Sequence, residues 1–141
     1  MNNIQIDKFC LRLRGYRGCQ SFDRVPILRH GEWVIINSLP HDSPDTIGHW
    51  YLAYNQFNRI YGFDSLAMSN TVWPYNMFFI NKTACQSPKS HACGFHCLFF
   101  ISFILHGVDH KIIWTHLYSG DKVNNDKLAR MFVNNINAKF G

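Results

Sequence analysis

A cysteine stands where an irregular segment of this chain gives way to an apolar helix. Cys93 follows the loop sequence Gln86-Ser87-Pro88-Lys89-Ser90-His91-Ala92 and precedes Gly94-Phe95-His96-Cys97-Leu98-Phe99-Phe100-Ile101-Ser102-Phe103-Ile104-Leu105. Pro88 has no place inside a helix, so the helix starts after it and Cys93 falls at or just inside the first turn. Unpaired backbone N–H groups and the helix dipole favour a thiolate there. Gly94 puts no side chain beside the sulfur. The position suits a nucleophile, and a plain buried thiol is the competing reading, because free cysteine is often simply core.

A thiol nucleophile needs a base, a group that orients the base, and donors for the oxyanion. His49 opens an aromatic strand directly after Gly48 and a loop, so its ring can face a cleft. Asp64 ends the partner strand of the same hairpin, and a short turn brings the far ends of two paired strands side by side. The carboxylate can then hold the imidazole in one tautomer. Gln86, in the loop before Cys93, can donate to an oxyanion together with the Cys93 backbone N–H. Taken singly, such a His is often structural, such an Asp a turn residue and such a Gln solvated; it is their joint placement that points to chemistry.

The elements that must position these groups follow from residue pattern. A first helix is expected over residues 4–14, with Ile4, Ile6, Phe9, Cys10 and Leu13 on one face; Gly15 and Gly18 then break the pattern. Strands are expected at 33–37, 49–54, 59–64 and 75–81, with a turn at Asn55-Gln56-Phe57-Asn58 and a loop over 38–48. The helix of Cys93 is expected to run to 106, a short helix from His110 to Leu117, and a closing helix over 126–136. Hairpins and helices segregated in this way predict an α+β fold over residues 1–141 as one domain: a mainly antiparallel central sheet, flanking helices, and a buried helix carrying Cys93 at its N-terminus.

Composition narrows the function classes. The chain has 141 residues, 47% of them hydrophobic, enough for one core. The opening Met-Asn-Asn-Ile-Gln-Ile-Asp-Lys has no apolar run, so no secretory signal is expected, and no stretch is long enough for a membrane span. Five cysteines without regular spacing fit reduced thiols in an intracellular setting better than a disulfide framework. No Gly-rich phosphate loop or dinucleotide fingerprint is present. The net charge of +5, concentrated early at Lys8, Arg12, Arg14, Arg17, Arg24 and Arg29, is compatible with DNA but reads first as a solvated basic face.

Gly48-His49-Trp50, Phe63-Asp64 and Gln86 followed seven positions later by Cys93 in Ser-His-Ala-Cys-Gly-Phe-His-Cys resemble the adenovirus-type cysteine proteases, the adenains, which are related to the ubiquitin-like-protein proteases. Ile36-Asn37-Ser38 is similar too, and so, less specifically, are Gly18 to Pro26 and Val108-Asp109-His110. The resemblance implies a papain-like, adenain-like fold with Cys93 as nucleophile and His49 as base and later acid. Asp64 would orient His49, Gln86 would serve the oxyanion hole and Trp50 would wall the cleft. It implies cleavage of viral or virus-like precursor proteins at glycine-containing sites, in the virion or the host nucleus or cytoplasm, by a monomer. An activating peptide and DNA are the cofactors it implies, with no metal. The adenovirus enzyme carries Glu where Asp64 stands, whereas the related ubiquitin-like-protein proteases use Asp. Its activating peptide forms a disulfide with a cysteine between the acidic residue and the Gln, an interval that here holds only Cys85, beside Gln86. That covalent link is therefore not carried over.

Three other readings compete. A deconjugase of a ubiquitin-like modifier would use the same residues. A zinc module could draw on Cys93, His96 and Cys97, at i, i+3 and i+4 of the helix, with Cys85, His91 or His106 as fourth ligand, although zinc sites favour paired cysteines across a loop. The last is an inactive relative that keeps a basic nucleic-acid-binding surface.

Overall fold

In the computed structural model, which describes residues 1–45 and 48–140, the first element is a capped helix, α1 (Asn3–Cys10). The Asn2 side chain accepts from the Gln5 N–H and the Gln5 side chain accepts from the Asn2 N–H, each at 2.9 Å, so each side-chain oxygen satisfies the other residue's orphan N–H. The helix is shorter than expected because the chain must pass close to Gly31. A Cβ on Gly15 would lie 2.1 Å from the Gly31 carbonyl oxygen, and Gly15 holds φ +81°. A strand follows at once, β1 (Tyr16–Ser21), where the sequence reads only as broken. Gly18, at φ +94°, interrupts the register between the Tyr16–Trp33 and Cys19–Ile35 pairs, and this irregularity hides the strand's periodicity.

Four further strands, β2 (Trp33–Asn37), β3 (Trp50–Gln56), β4 (Arg59–Phe63) and β5 (Met77–Ile80), complete a sheet in the order β1-β2-β3-β4-β5. The fold is α+β, but the sheet is mixed rather than mainly antiparallel. β3 pairs antiparallel with β2 and β4, while β1–β2 and β4–β5 are parallel. The outer strands are joined to their neighbours by long crossing segments, 22–32 and 64–76, which return the chain to the same end of the sheet. The β3–β4 hairpin closes through Phe57 and Asn58, both at positive φ (54° and 63°), the turn whose twist matches paired strands. The loop over 38–48 is irregular as read, except that Thr46 and Ile47 lie outside the described residues.

Side chains alternate across the sheet. Trp33, Ile35, Leu52, Tyr54 and Phe63 face α2 (Cys93–Leu105), with the Phe63 ring stacked on Phe100 at 4.1 Å. Val34, Ile36, Tyr51 and Ala53 face the other way, under Leu28, Trp73 and Tyr75 from the crossing segments. A Cβ on Gly62 would meet the Trp73 ring at 2.6 Å, so this glycine lets the second layer close. After a short helix, α3 (His110–Ile112), and a π-helical turn at Ile113–Leu117, the long α4 (Lys122–Phe140) packs Ala129, Phe132 and Val133 against α2. Buried between sheet and α4, α2 is largely apolar around its circumference, with His96 and Ser102 as its buried polar residues. The closing helix starts earlier than its apolar pattern because Asp121 accepts from the Asn124 N–H and caps it.

The early basic residues are dispersed in use. Arg17 pairs with Glu32 at 3.0 Å, Arg14 donates to the Leu105 carbonyl and Arg12 lies over the Phe140 ring. Among the described residues no helix is long and apolar enough to cross a membrane.

Candidate active site

Cys93 is the first residue of α2, and no side chain caps the helix there. The first-turn N–H groups therefore stay available to an anion. The Trp50 N–H, at the start of β3, points at the Cys93 sulfur from 3.4 Å. His49 precedes Trp50, and its backbone is pinned: its N–H donates to Ser38 Oγ and its carbonyl accepts from the Ser38 N–H, both at 2.9 Å. Gly48 is required less for freedom than for space, since a Cβ there would lie 2.2 Å from Asn37 Oδ1.

The His49 ring bridges the two other groups. Its Nε2 is 2.6 Å from Asp64 Oδ1, and the Cys93 thiol lies near enough to the ring for each to shift the other's titration. Leu52 pairs with Phe63, so Asp64 follows at the level of Tyr51 and His49 lies two residues further along; the side chains meet diagonally rather than directly across the hairpin. Asp64 is 1% exposed, and its carboxylate also accepts from the Leu66 and Met68 N–H groups and, at 2.7 Å, from Thr71 Oγ. The Asn81 side chain clamps the Asp64 backbone, accepting from its N–H at 2.8 Å and donating to its carbonyl at 2.7 Å.

These contacts set the charges. Burial opposes a protonated His49, but hydrogen bonds and charge from Asp64 and Cys93 outweigh it and raise the pKa to about 9. Burial likewise opposes ionised Asp64, and the bonds from His49 and Thr71 hold the carboxyl below its ordinary value. Cys93 is also pushed up by burial, yet His49 and the N–H groups of Trp50 and Gly94 bring the thiol below its ordinary value. Desolvation raises the thiols of Cys10, Cys19, Cys85 and Cys97 instead. The arrangement therefore favours a thiolate beside an imidazolium.

Gln86 is buried at 1% exposure and borders the same open cleft of ≈ 1130 Å³ as Gly48, His49, Trp50 and Cys93. Its Oε1 accepts from Ser65 Oγ at 2.5 Å and its Nε2 donates to the Ser90 carbonyl at 3.0 Å. An amide nitrogen carries two hydrogens, so one is left beyond the bond to Ser90. Trp50 lines the cleft, with its indole N–H donating to the Met1 carbonyl at 3.1 Å. Gly94 is different. It is buried, and a Cβ there would meet Met1 Cβ and Sδ at 3.2 Å, so its open flank is occupied by Met1 rather than offered to a substrate.

The zinc set is not assembled among the described residues. Cys93 faces His49, while the His96 nitrogens face Tyr118 OH at 2.9 Å and Asp126 Oδ1 at 2.8 Å in the core. Cys85 is 2% exposed. Ser65, Thr71 and Asn81 are site residues the sequence does not reveal. Polar residues of these types sit in most loops, and nothing in their spacing marks their partners. No protein-family model matches the chain, and no curated protein matches it.

Proposed function

We propose that this chain is a cysteine endopeptidase of the adenain-like type, with a papain-like division of labour between a helix that carries the thiol and a sheet that carries the base. The observation that carries the reading is the His49 ring held between Asp64 and the Cys93 sulfur, with the Cys93 thiol the one among the five cysteines whose pKa is lowered. A buried structural cysteine has no need of either feature.

In the proposed reaction the Cys93 thiolate attacks a peptide carbonyl carbon. The carbonyl oxygen becomes an oxyanion, stabilised by Gln86 Nε2 and the Cys93 backbone N–H. The imidazolium of His49 protonates the leaving amine as the C–N bond breaks, leaving a thioester. Neutral His49 then takes a proton from water, the hydroxide oxygen displaces the sulfur, and thiolate and imidazolium are restored. Asp64 keeps the ring in the tautomer that presents its other nitrogen to the sulfur. From the resemblance, the substrates are precursor proteins of a virus or virus-like element, cut at glycine-containing sites.

The test is intact-mass measurement after treatment with a peptide vinyl sulfone ending in Gly-Gly, followed by peptide mapping. Covalent addition at Cys93, abolished in His49→Ala, is the expected result. An unlabelled protein, with and without DNA and candidate activating peptides, would sink the reading. Cleavage of a modifier–fluorophore fusion in preference to a glycine-containing peptide would transfer the same chemistry to a deconjugase.

A further inference from the structure

An oxyanion donor of the Gln type has a weakness that a backbone N–H lacks. Its amide is nearly symmetric in shape, and turned by half a rotation it would present a carbonyl oxygen, which repels the developing charge. Something must decide which end faces the cleft. The Ser90 carbonyl can only accept, so it requires the nitrogen of Gln86. That leaves Oε1 pointing the other way, into the buried side, where an unpartnered carbonyl is costly.

Ser65 meets it there. The residue is 0% exposed, its Oγ–H donates to Gln86 Oε1 at 2.5 Å, and its carbonyl accepts from the N–H groups of Cys85 and Gln86 at 2.9 and 3.1 Å. Main chain and side chain of Gln86 are thus both held by this one residue. Ser65 directly follows Asp64, whose carboxylate holds His49. Resting on the protease reading above, we infer that Ser65 is a positioning residue for the oxyanion hole, and that the dipeptide Asp64-Ser65 aligns base and oxyanion donor together. Asn125, from α4, braces the same junction by donating to the Cys85 carbonyl at 3.1 Å.

Ser65→Ala removes the donor to Oε1 and frees the amide to turn. The expected effect is a fall in kcat of about tenfold, less than the loss of the donor itself, with KM little changed. Ser65→Thr, which keeps the hydroxyl, restores kcat. In a Gln86→Ala background Ser65→Ala has no further effect on kcat, because the group it positions is gone. Alkylation of Cys93 by iodoacetamide, which forms no oxyanion, keeps its rate. Equal losses in the two backgrounds, or a parallel fall in alkylation, would overturn the inference by showing that Ser65 acts through folding or through His49. If Ser65→Ala does not fold, Ser65→Cys fills the space with a much weaker donor and takes its place.

A readout independent of turnover separates this inference from the protease reading. The side-chain ¹⁵N–¹H signals of Gln86 are expected to shift and exchange faster in Ser65→Ala. Unchanged signals overturn the role of Ser65 even in an active enzyme. A wild-type protein without cleavage or Cys93 adduct overturns the protease reading, while the Gln86 signals still decide whether Ser65 orients the amide.

Discussion

The molecule contains two histidine–aspartate pairs of nearly the same geometry, and the cysteines beside them are shifted in opposite directions. In the cleft, His49 Nε2 lies 2.6 Å from Asp64 Oδ1 and the ring meets Cys93. In the core, His96 Nε2 lies 2.8 Å from Asp126 Oδ1, and Nδ1 meets Tyr118 OH at 2.9 Å and the Cys85 sulfur at 3.9 Å. The His49 pKa rises to about 9, whereas desolvation pulls that of His96 down despite Asp126. Cys93 is lowered, and burial pushes Cys85 up to about 12. A carboxylate behind an imidazole is thus not enough to activate a thiol. The cleft pair has four protein donors on its carboxylate, counting His49, and backbone N–H groups on its sulfur. The core pair has a neutral phenol and a poorly placed thiol, so it knits α2 to α4 instead.

That contrast can be broken most sharply at the sulfurs. Cys93→Ala should abolish turnover with the melting temperature preserved, while Cys85→Ala should keep turnover; peptide hydrolysis and a thermal melt on both variants decide it. The carboxylates come next. Asp64→Asn should cost about 10⁴-fold in kcat through the wrong tautomer. Asp126→Asn should leave kcat within about twofold while costing about 1–3 kcal/mol of stability, as for a buried hydrogen-bond partner lost. Equal kinetic effects of the two would mean that the core pair belongs to the catalytic machinery.

Alkylation sharpens the same point with a smaller signal. At mildly acidic pH iodoacetamide should modify Cys93 first, and Cys85 only on unfolding, as read by peptide mapping. The pH profile carries the mildest effect. Activity should rise as pH passes the lowered Cys93 pKa, where the thiolate forms, and fall near pH 9, where the His49 imidazolium loses its proton. Since Asp64 contributes to raising His49, Asp64→Asn should move the alkaline limb downward, and Asp126→Asn should leave it in place. An alkaline limb that moved with Asp126 would contradict the separation of the two pairs.

Much of the fold is legible in residue pattern, and the failures have physical causes. The β2 strand and the β3–β4 hairpin were readable because dense β-branched and aromatic residues are bounded by polar turns. β1 was not, because Gly15 and Gly18 serve close approach and a bulge, which on sequence alone look like breakers. The strand directions at the sheet edges depend on the path of segments 22–32 and 64–76, and no local pattern encodes it. Gly94 shows the same limit at one atom. Its missing side chain suggested open access to the sulfur, yet the space is filled by Met1, ninety-three positions away in the chain.

What the sequence determined by itself is the chemistry available and its rough location: a thiol at a helix start after Pro88, an imidazole and a carboxylate at the ends of one hairpin, and an amide in the loop before the thiol. Short-range rules of helix entry and strand pairing suffice for that. Only the tertiary structure decided that, of the five cysteines, Cys93 alone has surroundings that favour the thiolate. It also decided that Thr71, Asn81 and Ser65 hold the acid and the amide. Such assignments depend on desolvation and on hydrogen bonds between distant residues, and these exist only once the chain has packed.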